Sequence, residues 1–222
     1  RISIIKINNK EGAVVIIDTH THTFPDRIAA RALAGMEKSI VDKHDWNVKI
    51  KVAGTRDALS ESTKKNGVDI SVVVPVATKP EQSASINEFA AQTNEKTKET
   101  GVFSLGAIHP DNEDYKDILD DIKKKGLKGI KVHPDYQKVE FDDPRYLRIF
   151  KYADELGLVI VTHAGEDIGL PEKIHCTPDM VLNVLNKVNP KNLVLAHMGG
   201  LNLWDEVEEK LVGKNVYFDT AF

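Results

Sequence analysis

The sequence lacks the features that mark secreted or membrane proteins. It has a single cysteine, Cys176, among 222 residues, so no internal disulfide can form and a reducing compartment fits. No apolar run approaches the roughly 20 residues of a bilayer-spanning helix, and the start, RISIIKINNK, lacks the long apolar stretch of a secretory signal. We therefore expect a cytoplasmic protein with no membrane partner.

The charge balance also lacks an excess of either sign. Lys and Arg number 30 against 34 Asp and Glu, which gives a formal net charge of −4 and a pI near 6.1. Without a basic field to gather phosphates, nucleic acid is not an expected partner. A length of 222 residues with 41% hydrophobic content fits one globular domain. Whether it forms a homo-oligomer stays open.

Seven short apolar runs rich in Val, Ile and Leu alternate with segments of helical character. They span residues 14–20, 69–75, 102–108, 127–133, 158–163, 193–197 and 216–220. Such runs are typical of parallel strands that helices cover on both faces. The class is therefore α/β, and the alternation fits either a closed (β/α)8 TIM barrel or an open doubly wound sheet.

Histidines close four of the predicted strands, and their positions favour the barrel. They are His20 with His22, His133, His163 and His197. Residues at i and i+2 share a strand face, and barrel active sites collect side chains from the carboxyl ends of several strands. Neutral imidazole is a common ligand of zinc, and a catalytic zinc typically has three protein ligands and an open position. A polar residue at a barrel mouth explains any one histidine, but four together predict a metal site.

The strand motifs resemble a known family. D-T-H-T-H on the first strand, G-I-K-V-H-P on the fourth, V-T-H-A-G on the fifth, L-A-H-M-G-G on the sixth and Y-F-D-T on the seventh are similar to the amidohydrolase superfamily. The closest branch is the amidohydrolase 2 group, which includes aminocarboxymuconate-semialdehyde decarboxylase-like enzymes. The resemblance implies a divalent metal, expected to be zinc, held by His20, His22 and His163.

The resemblance also implies a metal-binding aspartate at the end of strand eight, which often serves as the general base. Because the sequence given stops after strand seven, we expect a barrel truncated there, with this aspartate beyond Phe222. The expected domains are an N-terminal arm or remnant over residues 1–13 and an incomplete barrel over 14–222. Residues 23–68 are too long for one crossover helix and predict a loop or extra helix over the mouth of strand one.

The catalytic residue implied by the resemblance is His197, which would orient or deprotonate the metal-bound water; a further metal ligand is the alternative. Lys131 has three interpretations: a carboxylated bridge between two metals, as in binuclear members, an ammonium that binds an anionic substrate, or an ion pair with Asp18. Asp219 is expected to hold a histidine in its tautomer.

Two other histidines are candidates for substrate binding. His133 lies at the mouth of strand four, and His175 lies in the loop after strand five. The plain alternative for His175 is a loop residue beside Thr177, which with Pro178 predicts a helix start.

The implied reaction is hydrolysis of an amide, lactone or ester bond by a metal-activated water. The same branch offers non-oxidative decarboxylation of an aromatic or muconate-like acid, and a barrel that only binds a ligand is a third reading. A TatD-like metal-dependent nuclease shares the H-x-H motif, but the acidic charge balance and the absence of a strand-four glutamate disfavour it.

Overall fold

The computed structural model of the protein describes residues 4–8, as backbone only, together with 14–44 and 46–221. The strands are β1 (Ile4–Asn8), β2 (Val14–Thr21), β3 (Ile70–Val73), β4 (Val102–Ser104), β5 (Gly106–Ala107), β6 (Gly129–Val132), β7 (Val159–Thr162), β8 (Leu193–Leu195) and β9 (Tyr217–Phe218). The helices are α1 (Asp26–His44), α2 (Arg56–Lys65), α3 (Ser83–Glu95), α4 (Thr97–Thr100), α5 (Tyr115–Lys124), α6 (Pro134–Gln137), α7 (Pro144–Glu155), α8 (Pro178–Lys187) and α9 (Trp204–Leu211). Each predicted strand coincides with one or two observed ones.

The strands form two sheets. One has the order β1-β2-β3-β4 and the other the order β5-β6-β7-β8-β9. All neighbours pair in parallel except β1, which pairs antiparallel with β2. The predicted arm is thus described only at residues 4–8, since 1–3 and 9–13 lie outside the described residues. Helices occupy the crossovers between parallel strands, as such connections require.

The third predicted strand, residues 102–108, divides between the two sheets. Two asparagines of α3 explain the break. The Asn94 amide accepts from Ser104 N at 2.6 Å and donates to Ser104 O at 2.9 Å, and Asn87 does the same for Ala107 at 2.8 and 3.1 Å. Because these amides occupy the hydrogen-bonding groups that a neighbouring strand would use, β4 pairs only with β3 and β5 only with β6.

The main core packs the second sheet against its helices. Ile130, Ile160 and Leu195, from three adjacent strands, are fully buried with Phe150 of α7 and Val181 of α8. Burial of this apolar surface is the main favourable term in folding, and it fixes the strands whose ends carry the candidate site.

Helix starts follow the predicted signals. Thr177 caps α8 by accepting a hydrogen bond from Met180 N at 3.4 Å, and Pro178 occupies the first turn. The long stretch 23–68 contains α1 and α2.

The structure establishes a mixed α/β fold with parallel sheets. The described strands do not form a closed barrel, and the predicted barrel truncated after strand seven stays a prediction. Over residues 4–8, 14–44 and 46–221, β2 and β9 do not pair, and neither do β4 and β5. In the same part of the chain, no helix combines the length and apolar character needed to cross a membrane.

Candidate active site

The carboxyl ends of the parallel strands bring the predicted site residues together. They are His20 in β2 and His22 directly after it, Lys131 in β6 and His133 directly after it, His163 after β7, His197 after β8, and Asp219 after β9. Parallel strands run in the same direction, so their carboxyl ends lie on the same side of the fold.

Asp219 orients His20. Its Oδ2 lies 2.7 Å from His20 Nδ1, and both side chains are 5% exposed. Burial raises the pKa of Asp219, but the hydrogen bond from His20 and its charge outweigh this and leave the value lowered. Burial and the charge of Lys131 lower the pKa of His20. The Asp219 carboxylate therefore accepts from Nδ1–H, and Nε2 of His20 carries the lone pair.

His20 belongs to a chain of four neighbouring imidazoles. Ring centroids are 5.1 Å apart for His20 and His22, 5.4 Å for His20 and His197, and 4.8 Å for His197 and His163. Desolvation by the surrounding protein and the charges of His20 and Lys131 lower the pKa of His22, although the residue as a whole is exposed. A group of imidazoles held neutral can supply lone pairs to a cation.

The backbone that carries His197 is unusual. His197 and Met198 have φ values of 59° and 56°, a region that non-glycine residues rarely adopt. Asp219 Oδ1 accepts from His197 N at 3.0 Å, and the Ala221 carbonyl lies 3.0 Å from Nδ1. Burial lowers the pKa of His197 to about 4. Because a carbonyl only accepts, Nδ1 carries the proton and Nε2 holds a lone pair.

Lys131 is fully buried beside this cluster. Burial lowers its pKa to about 8, although the charge of Asp219 acts in the opposite direction. Among the residues whose side chains are described, no carboxylate lies within 4.0 Å of its ammonium group. The ion pair with Asp18, one of the three predicted interpretations, is therefore not formed.

The loops after β6 and β7 add two aspartates that the sequence analysis missed. His133, His163 and Asp167 have ligand atoms that all lie within 4.8 Å of one another. His133 Nε2 lies 3.4 Å from Asp167 Oδ2, and the His133 and His163 rings stack at 4.2 Å with an angle of 7° between their planes. Asp167 follows His163 by four residues, in the loop after a predicted strand. That position was the sequence signal that could have identified it as a site residue.

The second missed aspartate is Asp135, which lies between two histidines. Its Oδ1 accepts from His175 N at 3.1 Å and lies 3.0 Å from His175 Nδ1. Its Oδ2 is buried without a hydrogen-bond partner, 3.8 Å from His163 Nε2, which also lacks one. Asp135 follows His133 by two residues. From the sequence, only His133 was predicted to belong to the site at the end of this strand.

These orphaned atoms need a partner, and the nitrogen and oxygen donors around them fit a cation. A buried imidazole nitrogen and a buried carboxylate oxygen without partners are costly unless a ligand or water satisfies them. Nitrogen and oxygen donors suit zinc, manganese and similar ions. Within the described part of the chain, the ligand atoms of His133, His163 and Asp167 all lie within 4.8 Å of one another, whereas those of His20, His22 and His163 do not. The latter trio remains a prediction.

Helix α1 packs against the loop after β7, at the same edge. Ser39 Oγ donates to Gly169 O at 2.7 Å, His44 Nε2 lies 2.6 Å from Ile168 O, and Lys43 pairs with Glu172. The stretch after strand one thus contains the predicted extra helix.

Comparison with known proteins gives one family and many similar folds. A family model described as Amidohydrolase matches residues 17–222. No curated protein sequence gives a significant match.

Solved structures with similar folds include IDCase of Metarhizium anisopliae in its apo form, at 16% identity and a TM-score of 0.60, covering 90% of this chain and 70% of that one. A 5-carboxyvanillate decarboxylase of Novosphingobium aromaticivorans with bound manganese is 15% identical, with a TM-score of 0.61 and coverage of 83% and 66%. A probable 2-pyrone-4,6-dicarboxylic acid hydrolase of Acinetobacter baumannii with citric acid bound is 13% identical, with a TM-score of 0.55 and coverage of 91% and 68%. At identities this low, the likeness shows a shared fold and nothing more.

Proposed function

Because this chain belongs to the amidohydrolase family, whose model matches residues 17–222, we propose that it is a metal-dependent hydrolase that cleaves an amide, lactone or ester bond of a small molecule. The observation that carries the proposal is that His20, His22, His163 and His197 come together at the carboxyl ends of strands from both sheets. A divalent metal, when bound there, lowers the pKa of a coordinated water and polarises the carbonyl under attack.

His20, His22 and His163 would hold the metal. Asp219 supports this role for His20, because its hydrogen bond to Nδ1 fixes the ring and leaves Nε2 as the ligand atom. The donor set favours zinc or manganese over softer ions, and we keep zinc as the first metal to test.

His197 is the proposed catalytic residue. Its Nδ1 proton is directed to the Ala221 carbonyl, so Nε2 can take a proton from the attacking water and return it to the leaving group. His197 N donates a hydrogen bond to Asp219, the same carboxylate that contacts His20, so Asp219 holds the two histidines near each other. A role as a further ligand is the alternative.

Three residues are proposed to bind substrate. Lys131 places a buried cation beside the imidazoles, with no carboxylate within 4.0 Å among the described side chains, so it can bind an anionic group of the substrate. His133 lies on the same edge, and His175 is 14% exposed at its rim. A carboxylated Lys131 that bridges two metals remains the second interpretation.

Decarboxylation of a small aromatic acid is the second candidate function. Support comes from solved structures of similar fold, among them the 5-carboxyvanillate decarboxylase and a 2,6-dihydroxybenzoate decarboxylase. Incubation with hydroxylated aromatic acids and with lactone dicarboxylates, followed by assay of released CO2 and of ring-opened acid, separates the two reactions.

The proposed frame is a (β/α)8 barrel, with residues 1–13 as an arm and 14–222 as the barrel domain. The parallel strand order and the TM-scores above 0.5 to solved structures support it. A reducing cytoplasm is the proposed compartment, on the single cysteine alone.

The first experiment is metal content by plasma mass spectrometry on purified protein incubated with Zn²⁺ or Mn²⁺ and then desalted. We expect about one ion per chain, lost in His20→Ala and His163→Ala. The matched control is His109→Asn, because buried His109 accepts from Asp111 N through Nδ1 and an asparagine oxygen can replace that atom. No metal in the wild type would overturn the proposal and leave a ligand-binding fold.

A further inference from the structure

A buried carboxylate joins two histidines behind the proposed metal ligands. Asp135 is 2% exposed and His163 is 4% exposed. His175 holds Oδ1 of Asp135 with two groups, its backbone N–H at 3.1 Å and its Nδ1 at 3.0 Å. Oδ2 is therefore directed into the protein, toward His163 Nε2 at 3.8 Å. Neither of these two facing atoms has a hydrogen-bond partner.

The hydrogen bonds on the other side determine which nitrogen of His163 carries a proton. His197 gives its Nδ1 proton to the Ala221 carbonyl, so its Nε2 can only accept when the ring is neutral. His163 Nδ1 lies 3.0 Å from that Nε2 and must donate. Nε2 of His163 then holds a lone pair that faces the Asp135 carboxylate. His163 Nε2 and Asp135 Oδ2 are then two acceptors that face each other at 3.8 Å with no proton between them, which is unfavourable. The tautomer that His163 adopts without a cation therefore leaves the Asp135 carboxylate without a donor.

A cation on Nδ1 would resolve this conflict. Nδ1 faces the side of His163 on which His197 lies. If Nδ1 binds a metal, the proton moves to Nε2, where the Asp135 carboxylate can accept it. Both orphaned atoms are then satisfied by one proton. This step rests on the proposed metal dependence.

His133 is a poor competitor for the same ion. Its Nδ1 already accepts the Tyr136 N–H at 3.4 Å, so Nε2 carries the proton and donates toward Asp167 at 3.4 Å. Its ring is also parallel to that of His163, within 7°. An ion lies in the plane of each imidazole that binds it, so two stacked rings cannot share one ion without a ring rotation.

We propose that Asp135 is a positioning residue for metal binding, which selects the Nε2–H tautomer of His163 and thereby presents Nδ1 to a divalent cation. His175 fixes the carboxylate in the orientation that this requires. The ligating residue and its partner come from adjacent strand ends, after β7 and β6, so the fold rather than local sequence creates the pair.

Asp135→Asn tests the proposal sharply. Asparagine keeps the size of the side chain, and its oxygen can keep both contacts to His175. Its NH2 group would then face His163 Nε2 and donate to the lone pair, which stabilises the wrong tautomer. We expect the affinity for Zn²⁺ to fall roughly 10- to 100-fold, the range for loss of a carboxylate behind a ligating histidine.

Zn²⁺ affinity is measured by competition with a chromogenic chelator, and the His163 tautomer by ¹⁵N imidazole chemical shifts assigned with His163→Gln. In the zinc-loaded wild type we expect a protonated Nε2 on His163, with its proton shifted downfield by the carboxylate, and loss of that shift in D135N. A purely structural role of Asp135 would change the thermal unfolding of the metal-free protein but neither of these signals. His175→Ala provides a second variant, with a smaller expected loss of affinity than D135N.

Asp167→Asn is the comparison variant, because Asp167 Oδ2 lies 3.4 Å from His133 Nε2, whereas Asp135 Oδ2 faces His163 Nε2. If the ion binds among His133, His163 and Asp167, D167N loses more affinity than D135N and the proposal is overturned. Equal affinity of D135N and the wild type overturns it too, as does zinc-loaded His163 protonated on Nδ1. A wild type that binds no Zn²⁺ fails at the proposed function itself, and this outcome is recognised before any variant is compared.

Discussion

Gly165 links the loops that carry His163 and His197, and Gly165→Ala should loosen both. The two loops meet in a short parallel bridge between Gly165 and Leu201. Leu201 N donates to Ala164 O, and Glu166 N donates to Leu201 O, each at 3.0 Å. A Cβ on residue 165 would lie 2.1 Å from Leu201 N and 2.4 Å from Leu201 O. Since backbone atoms cannot move aside as a side chain can, the bridge has to open.

The expected cost has two parts. Gly165 has a φ of 82°, and alanine in this left-handed region costs about 1–2 kcal/mol. Restoring an ordinary contact of at least 3.4 Å moves the backbone by more than 1 Å and weakens the two loop hydrogen bonds, each worth about 0.5–1.5 kcal/mol net. We therefore expect a total of about 2–5 kcal/mol.

Gly126→Ala isolates the conformational part. Gly126 has a φ of 74°, but nothing lies within 4 Å of its added Cβ, so only about 1–2 kcal/mol is expected. Urea denaturation of the metal-free variants, followed by circular dichroism, gives both free energies of unfolding. Equal destabilisation of G165A and G126A would refute the steric argument. A fall in Zn²⁺ affinity confined to G165A would show that the bridge also positions the histidines.

Three further predictions concern single side chains. Thr177→Ala removes the cap on Met180 N and should lower the free energy of unfolding by about 1 kcal/mol, whereas Thr177→Ser should retain most of it; urea denaturation decides. Burial raises the pKa of the Cys176 thiol, so a thiol reagent should label it only in denaturant, and rapid labelling of the native protein would contradict this. The hydrogen bond from Arg145 lowers the pKa of Asp143, so its stabilisation is present above the unfolded pKa of about 3.9 and is lost as the pH falls through the folded value. Asp143→Asn should therefore lose less stability than the wild type in an acid titration, and identical curves would exclude this contribution.

Much of the architecture could be predicted from local pattern. Continuous Val, Ile and Leu runs mark strands buried on both faces, and a cap residue followed by proline marks the start of α8, because these signals depend on neighbours in sequence. The division of strand three could not be predicted. It depends on Asn87 and Asn94 of another element, which occupy backbone groups of residues 104 and 107 through contacts that no periodicity encodes.

The candidate site divides in the same way. The sequence by itself determined which imidazoles reach one edge, because the two-residue period of a strand and the common direction of parallel strands place His20, His163 and His197 there. Only the tertiary structure decided that Asp135 faces His163 and that Lys131 lacks a carboxylate within 4.0 Å among the described side chains. These relations depend on loops after different strands, whose backbone paths are set by packing across the molecule rather than by the residues within them.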